Sequence, residues 1–92
     1  MMREIEIGKK YRHFKGNLYE VLFIANDSET NNDENPRKLV VYRALYGDNQ
    51  VWVRDYDMFA SKVDKEKYPD VEQEYRFELV NNDWKSRRYN IN

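Results

Sequence analysis

Residues 38 to 54, KLVVYRALYGDNQVWVR, constrain the fold more than any other stretch of this chain. Two runs of β-branched and aromatic residues flank Gly-Asp-Asn-Gln. Side chains of that kind favour extended backbone, and Gly and Asn accept the positive φ of a tight reversal. The stretch therefore predicts a β-hairpin. A second hairpin is predicted upstream, where KKYRHF and LYEVLFIAN flank the turn signal Lys15-Gly16-Asn17. Ile5 and Ile7 alternate with charges ahead of Gly8 and predict a short edge strand. YRFELV, residues 75 to 80, predicts a final strand. Between them, DYDMFASKV suits a single helical turn that plugs an open end of the barrel. DSETNNDENPR, residues 27 to 37, reads as a polar loop closed by Pro.

Five to six short antiparallel strands with at most a short helical turn predict a mainly β fold, a small barrel or roll. With 92 residues the chain makes one domain, over residues 1–80, followed by a polar tail at 81–92. That tail is either disordered or docked through Trp84 and Tyr89. Such a small core needs bulky side chains, and the 15% aromatic content supplies them.

Composition removes several function classes. The chain has no Cys, which excludes a disulfide scaffold, a thiol nucleophile and a cysteine zinc site. No apolar run approaches the roughly 18 residues of a spanning helix, and the N-terminus lacks a signal-peptide core. A cytoplasmic protein with no membrane partner is expected. The net charge of −1 is no footprint for duplex DNA. That charge is nonetheless segregated. Residues 25–36 hold four acidic groups and no basic one, whereas residues 37–54 hold four basic groups and one acidic.

The second hairpin poses a sharper question, because Arg43 and Arg54 stand among its best core-formers. Alternation puts Leu39, Val41, Arg43 and Leu45 on one face, and Val40, Tyr42, Ala44 and Tyr46 on the other. In the preceding strand Glu20 interrupts Leu18, Leu22 and Ile24 in the same way. Desolvating an ion costs several kcal/mol, so lone buried charges are disfavoured. Three outcomes satisfy that cost: an Arg43–Glu20 pair, a solvated aromatic face, or an arginine fork that receives an anion.

Other chemistry is weaker. Ser28 and Thr30 lack a nucleophile-elbow context, and His13 is the only histidine. Asp27, Glu29, Asn31 and Asp33 have EF-hand spacing, but Asn32 stands where Gly is needed and Lys38 where a bidentate Glu is needed. No metal and no cofactor are expected. The three glycines are too scattered for a phosphate loop.

The stretches GKKYRHFKGNLYEVLFIANDSET, LVVYRALYG and VWVRDYDMF resemble a bacterial and phage family of small domains, domain of unknown function 1653. The resemblance covers roughly residues 8 to 59. It implies an SH3-like barrel or roll and no established activity. The family's polar positions fall on Tyr11, His13, Ser28, Glu29, Thr30, Tyr42, Arg43, Trp52 and Arg54. Family members usually carry His where Asp27 stands and Pro where Asp55 stands, and the NNDENPRK loop is longer here.

Together these readings predict a non-enzymatic binding module for a small anionic or nucleotide-like ligand. Arg43 and Arg54 are expected to contact the anion. Tyr11, Tyr42 and Trp52 form a stacking wall, and His13, Glu29 and Thr30 bind a polar edge. Two alternatives stand: an adaptor for protein or single-stranded nucleic acid on the same aromatic surface, and a small hydrolase or nucleotide-processing enzyme. Strand edges also offer a homodimer contact.

Overall fold

The computed structural model describes residues 3–30 and 34–80. The expected tail at 81–92, with Trp84 and Tyr89, lies outside them. Five antiparallel strands make one open sheet in the order β4-β3-β2-β1-β5. The first hairpin joins β1, Lys10–His13, to β2, Leu18–Asn26. Its turn rests on Gly16 at φ 111°, whose N–H donates to the His13 carbonyl at 2.7 Å. The second hairpin joins β3, Lys38–Ala44, to β4, Val51–Asp55. Here Gly47 and Asn49 take φ near +57° and +58°, as the Gly-Asp-Asn-Gln turn predicts. β5, Phe77–Leu79, returns to the free side of β1.

One face of the sheet carries the core. Val40, Tyr42 and Ala44 of β3 are buried on it, so alternation leaves Leu39, Val41 and Arg43 on the outer face. β2 breaks its alternation at a bulge. Val21 lies opposite Tyr42 but Phe23 lies opposite Val41, so Leu22 is an extra residue. Tyr19 and Val21 therefore point inward before the bulge, and Ile24 after it, while Phe23 turns out to solvent. The strict alternation expected for LYEVLFIAN does not survive that insertion.

α1, Tyr56–Phe59, is the predicted helical turn. The Asp55 carboxylate caps it, accepting the Asp57 and Met58 N–H groups at 2.8 and 3.3 Å. Phe59 is fully buried and stacks on Phe77 with centroids 4.0 Å apart. Tyr11 and Tyr42 meet Phe59 edge-on, so four aromatic rings fill most of the small core.

Two expected strands are corrected. Residues 5 to 7 form no strand, although Ile5 is buried. The Tyr56 and Tyr11 hydroxyls accept the Ile5 and Glu6 N–H groups at 2.8 and 2.9 Å, so side chains replace a strand ladder there. The last strand is shorter than YRFELV. Tyr75 bridges Lys62 and the Arg76 N–H donates to the Ser61 carbonyl, so that end of the run pairs with the segment after α1.

Candidate functional site

The strand-borne groups of the candidate site lie on the inner face of the sheet. The β1–β2 hairpin presents His13 and Tyr19, β3 presents Tyr42, and β4 presents Trp52 and Arg54. Register puts Trp52 directly opposite Tyr42, and Arg54 opposite the buried Val40. Tyr46 arrives from the second hairpin's turn and shares a 2.7 Å hydroxyl contact with Tyr19. Tyr19 in turn meets Tyr42, Tyr46 and Phe77 edge-on, with centroids 5.4 to 5.6 Å apart. Trp52 remains 49% exposed, so the wall opens to solvent at the sheet edge. A groove of about 130 Å³ runs beside it between Ala44, Tyr46, Gly47 and Trp52.

Arg54 is the charge in this wall. Its Nε donates to the Tyr42 hydroxyl at 3.3 Å, and its guanidinium carbon lies 5.8 Å from the Phe77 ring centroid. Among the described residues no carboxylate forms an ion pair with it. His13 sits between the Phe14 and Phe77 rings, and its Nδ1 accepts the Lys15 N–H at 3.1 Å. That bond assigns the remaining proton of the neutral ring to Nε2. Burial lowers the His13 pKa to about 4, and the positive charges of Arg54, Arg76 and Lys15 add to the effect. The Tyr19 phenol is pushed up to about 12 by burial and by its contact with Tyr46. The site thus holds neutral rings in a positive local field, which suits an anion attached to a flat, apolar group.

The other predicted residues lie elsewhere. Arg43 is on the outer face, directly opposite Glu20, and the two side chains pair at 3.0 Å. At 42% and 28% side-chain exposure this is a surface ion pair, worth about 0–1 kcal/mol. Tyr11 is core, with its hydroxyl engaged by the Glu6 N–H, and burial pushes its phenol pKa up. Glu29 and Thr30 belong to the loop after β2, at the opposite end of that strand from Tyr19. At about 3.3 Å per residue the strand puts them roughly 20 Å from Tyr19, while Arg54, opposite Val40, stands nearer to that end. There the Asp27 carboxylate accepts the Glu29 N–H at 2.9 Å, and Thr30 Oγ1 accepts the Arg37 N–H at 3.4 Å.

A larger groove of about 270 Å³ lies at that end, along Pro36, Arg37 and Asp57. Its Arg37 is flanked by Asp27 at 3.5 Å and Asp55 at 3.3 Å, and its Lys38 donates to the Asn26 side chain at 2.7 Å. Among the described residues no group of acidic or histidine side chains could hold a metal ion.

The sequence reading did not assign Tyr19, Arg76 or Phe77 to the site. Tyr19 was within reach of it, because alternation with Val21 already put both on one face. Phe77 opens β5, whose neighbour β1 is far away in sequence, Arg76 immediately precedes it, and no local signal announces that pairing.

No curated protein matches the chain, and neither does any solved structure. One family model does, over residues 9–79, which span every strand, the helix and the aromatic wall. The chain belongs to the family described as protein of unknown function DUF1653.

Proposed function

We propose that this chain is a non-enzymatic binding module that captures a small anionic, nucleotide-like ligand on the inner face beside β4. One observation carries the reading: Arg54 is fixed by a phenol inside an aromatic wall, with no carboxylate paired to it among the described residues. Arg43 of the same hairpin, by contrast, is matched by the Glu20 carboxylate across the strand. In this reading Arg54 takes the anion, the neutral His13 donates from Nε2, and Tyr46 and Trp52 stack on a planar group. Arg43, Tyr11, Glu29 and Thr30 are no longer part of the proposed contact set.

We read the open sheet as a partly closed SH3-like roll. The support is the strand order, the bulge that bends β2, and the helical turn between β4 and β5 that packs on the core. A cytoplasmic location is supported by the lack of cysteine alone.

Native mass spectra of gently purified protein test the ligand. The wild type is expected to carry a stable added mass that Arg54→Gln loses and Arg43→Ala keeps. A wild type that stays bare, also after incubation with a panel of nucleotides and small phosphates, overturns the reading. Affinity that collapses with salt and grows with oligonucleotide length transfers the wall to single-stranded nucleic acid. Turnover of a bound ligand makes the module an enzyme.

A further inference from the structure

We propose that two copies of this chain pair through their β4 strands, antiparallel and centred on Val53, to make one continuous ten-stranded sheet. The inference does not depend on the ligand reading. β4 is an edge of the sheet, and its free side pairs with no described strand. Natural edge strands carry protection such as an outward Lys, a Pro or a bulge. β4 has none of these three: its sequence is VWVRD, paired without irregularity to β3, and its one inward charge, Arg54, faces Trp52 of the second copy in the pairing centred on Val53. Val51, Trp52 and Val53 are 54%, 49% and 57% exposed.

The hydrogen-bond phase fixes which backbone groups are free. The Ala44 N–H donates to the Gln50 carbonyl at 2.9 Å, and hydrogen-bonded pairs alternate along an antiparallel ladder. Trp52 and Arg54 therefore turn their backbone polar groups toward β3. Val51 and Val53 turn theirs to the open edge, as does the Asp55 N–H, whereas the Asp55 carbonyl opens α1. A two-fold axis at Val53 matches those groups with themselves, Val53 against Val53 and Val51 against Asp55. All five residues of β4 pair in this register.

Side chains select the same register. Facing pairs are Val with Val, Trp52 with Arg54, and Val51 with Asp55, so no like charges meet. An indole directly across from an arginine is a favourable cross-strand pair. A shift of the axis to Arg54 puts two guanidinium groups face to face, and a shift to Trp52 leaves only three strand residues paired. On the outer face, Phe23, Val41 and Val53 already form a row across three strands, with Phe23 64% exposed. The axis continues that row into the second copy as a six-residue apolar ridge. A net charge of −1 per chain adds little repulsion.

Analytical ultracentrifugation tests the pairing. The wild type is expected to sediment at twice the chain mass of 11.3 kDa at micromolar concentration. Val53→Lys places two ammonium groups on the axis and is expected to sediment as a monomer. Val53→Pro removes an N–H that β3 does not use and is expected to do the same. Circular dichroism checks that both variants keep the β fold, so that one folded monomeric variant suffices. A wild type that stays monomeric up to 100-fold higher concentration overturns the proposal. A dimer that persists in both variants overturns it equally, by moving the contact off β4.

Discussion

Arg43 and Arg54 bring the same guanidinium into one hairpin and meet opposite surroundings. Arg43 finds Glu20 across the strand on the wet outer face, and Arg54 finds a phenol and a phenyl ring on the inner face. The difference between them is parity along the chain, since odd positions of β3 and β4 face out and even ones face in. His13 reports the field that results. Its ring is held near pKa 4, below the ordinary 6.5, by burial first and by Arg54, Arg76 and Lys15 next. A folded pKa below the unfolded one means that the unfolded chain binds the extra proton. His13 therefore costs nothing above pH 6.5, and its destabilisation grows as pH falls from 6.5 to about 4. The ring is partly solvated, so the effect is screened to on the order of 1–2 kcal/mol. Proton NMR of the ring should show a midpoint near 4, raised by an anion bound at Arg54. The stability difference between wild type and His13→Asn should change across that same window. A midpoint near 6.5 would show that the ring is neither desolvated by burial nor reached by the positive charges.

Among the elements, the junction of β4 and α1 is the most instructive. Asp55 ends the strand at φ −50°, caps the helical turn, and pairs with Arg37 at 3.3 Å. Proline would prefer that same φ and would need no partner for the nitrogen that faces the open edge. Two residue types thus solve one local problem, proline by stiffening the entry and aspartate by capping it. Asp55→Ala should destabilise the fold by about 1 kcal/mol, as loss of a cap does. Asp55→Asn keeps an oxygen for the Met58 and Asp57 N–H groups and should cost only a few tenths. Thermal unfolding of the two variants decides it, and equal losses would assign the effect to the Arg37 ion pair instead. Elements like these were legible in the sequence because their determinants are local. The Gly16 and Gly47 turns, the four main strands and the Met58-Phe59 turn all follow from neighbouring residues. The Leu22 bulge was not legible, because Val21, Phe23, Ile24 and Ala25 around it are all apolar and leave no polar residue to mark the slip. The loss of a strand at Ile5 and Ile7 was equally hidden, since two tyrosine hydroxyls from elsewhere decide it.

The whole molecule is held by rings that connect elements remote in sequence. Phe59 of α1 stacks on Phe77 of β5, while Tyr42 of β3 meets both edge-on. Arg3 adds a strap from the chain start, with its guanidinium carbon 4.1 Å from the Tyr75 ring centroid and its Nε donating to the Ala60 carbonyl. The sequence put Phe59 in a plugging helical turn and Phe77 in a final strand, but their partnership needs the chain to cross from α1 back to β1, and pattern alone does not carry that distance. This is also why the candidate site was half legible: β3 and β4 announced Tyr42, Trp52 and Arg54, whereas Phe77 and Arg76 arrive from the far end of the chain. The stack closes a fold whose sheet does not close through strand pairing. Phe59→Ala should accordingly cost about 3–5 kcal/mol, a large part of the stability of a domain this small. Phe23→Ala removes an equal ring from the solvent face of β2 and should stay within about 0.5 kcal/mol when measured on the monomeric Val53→Lys background. Urea unfolding of both variants makes the comparison. A small loss at Phe59 would mean that the strand ladders alone hold the sheet. A large loss at Phe23 would mean that the outer ridge is covered within a single chain.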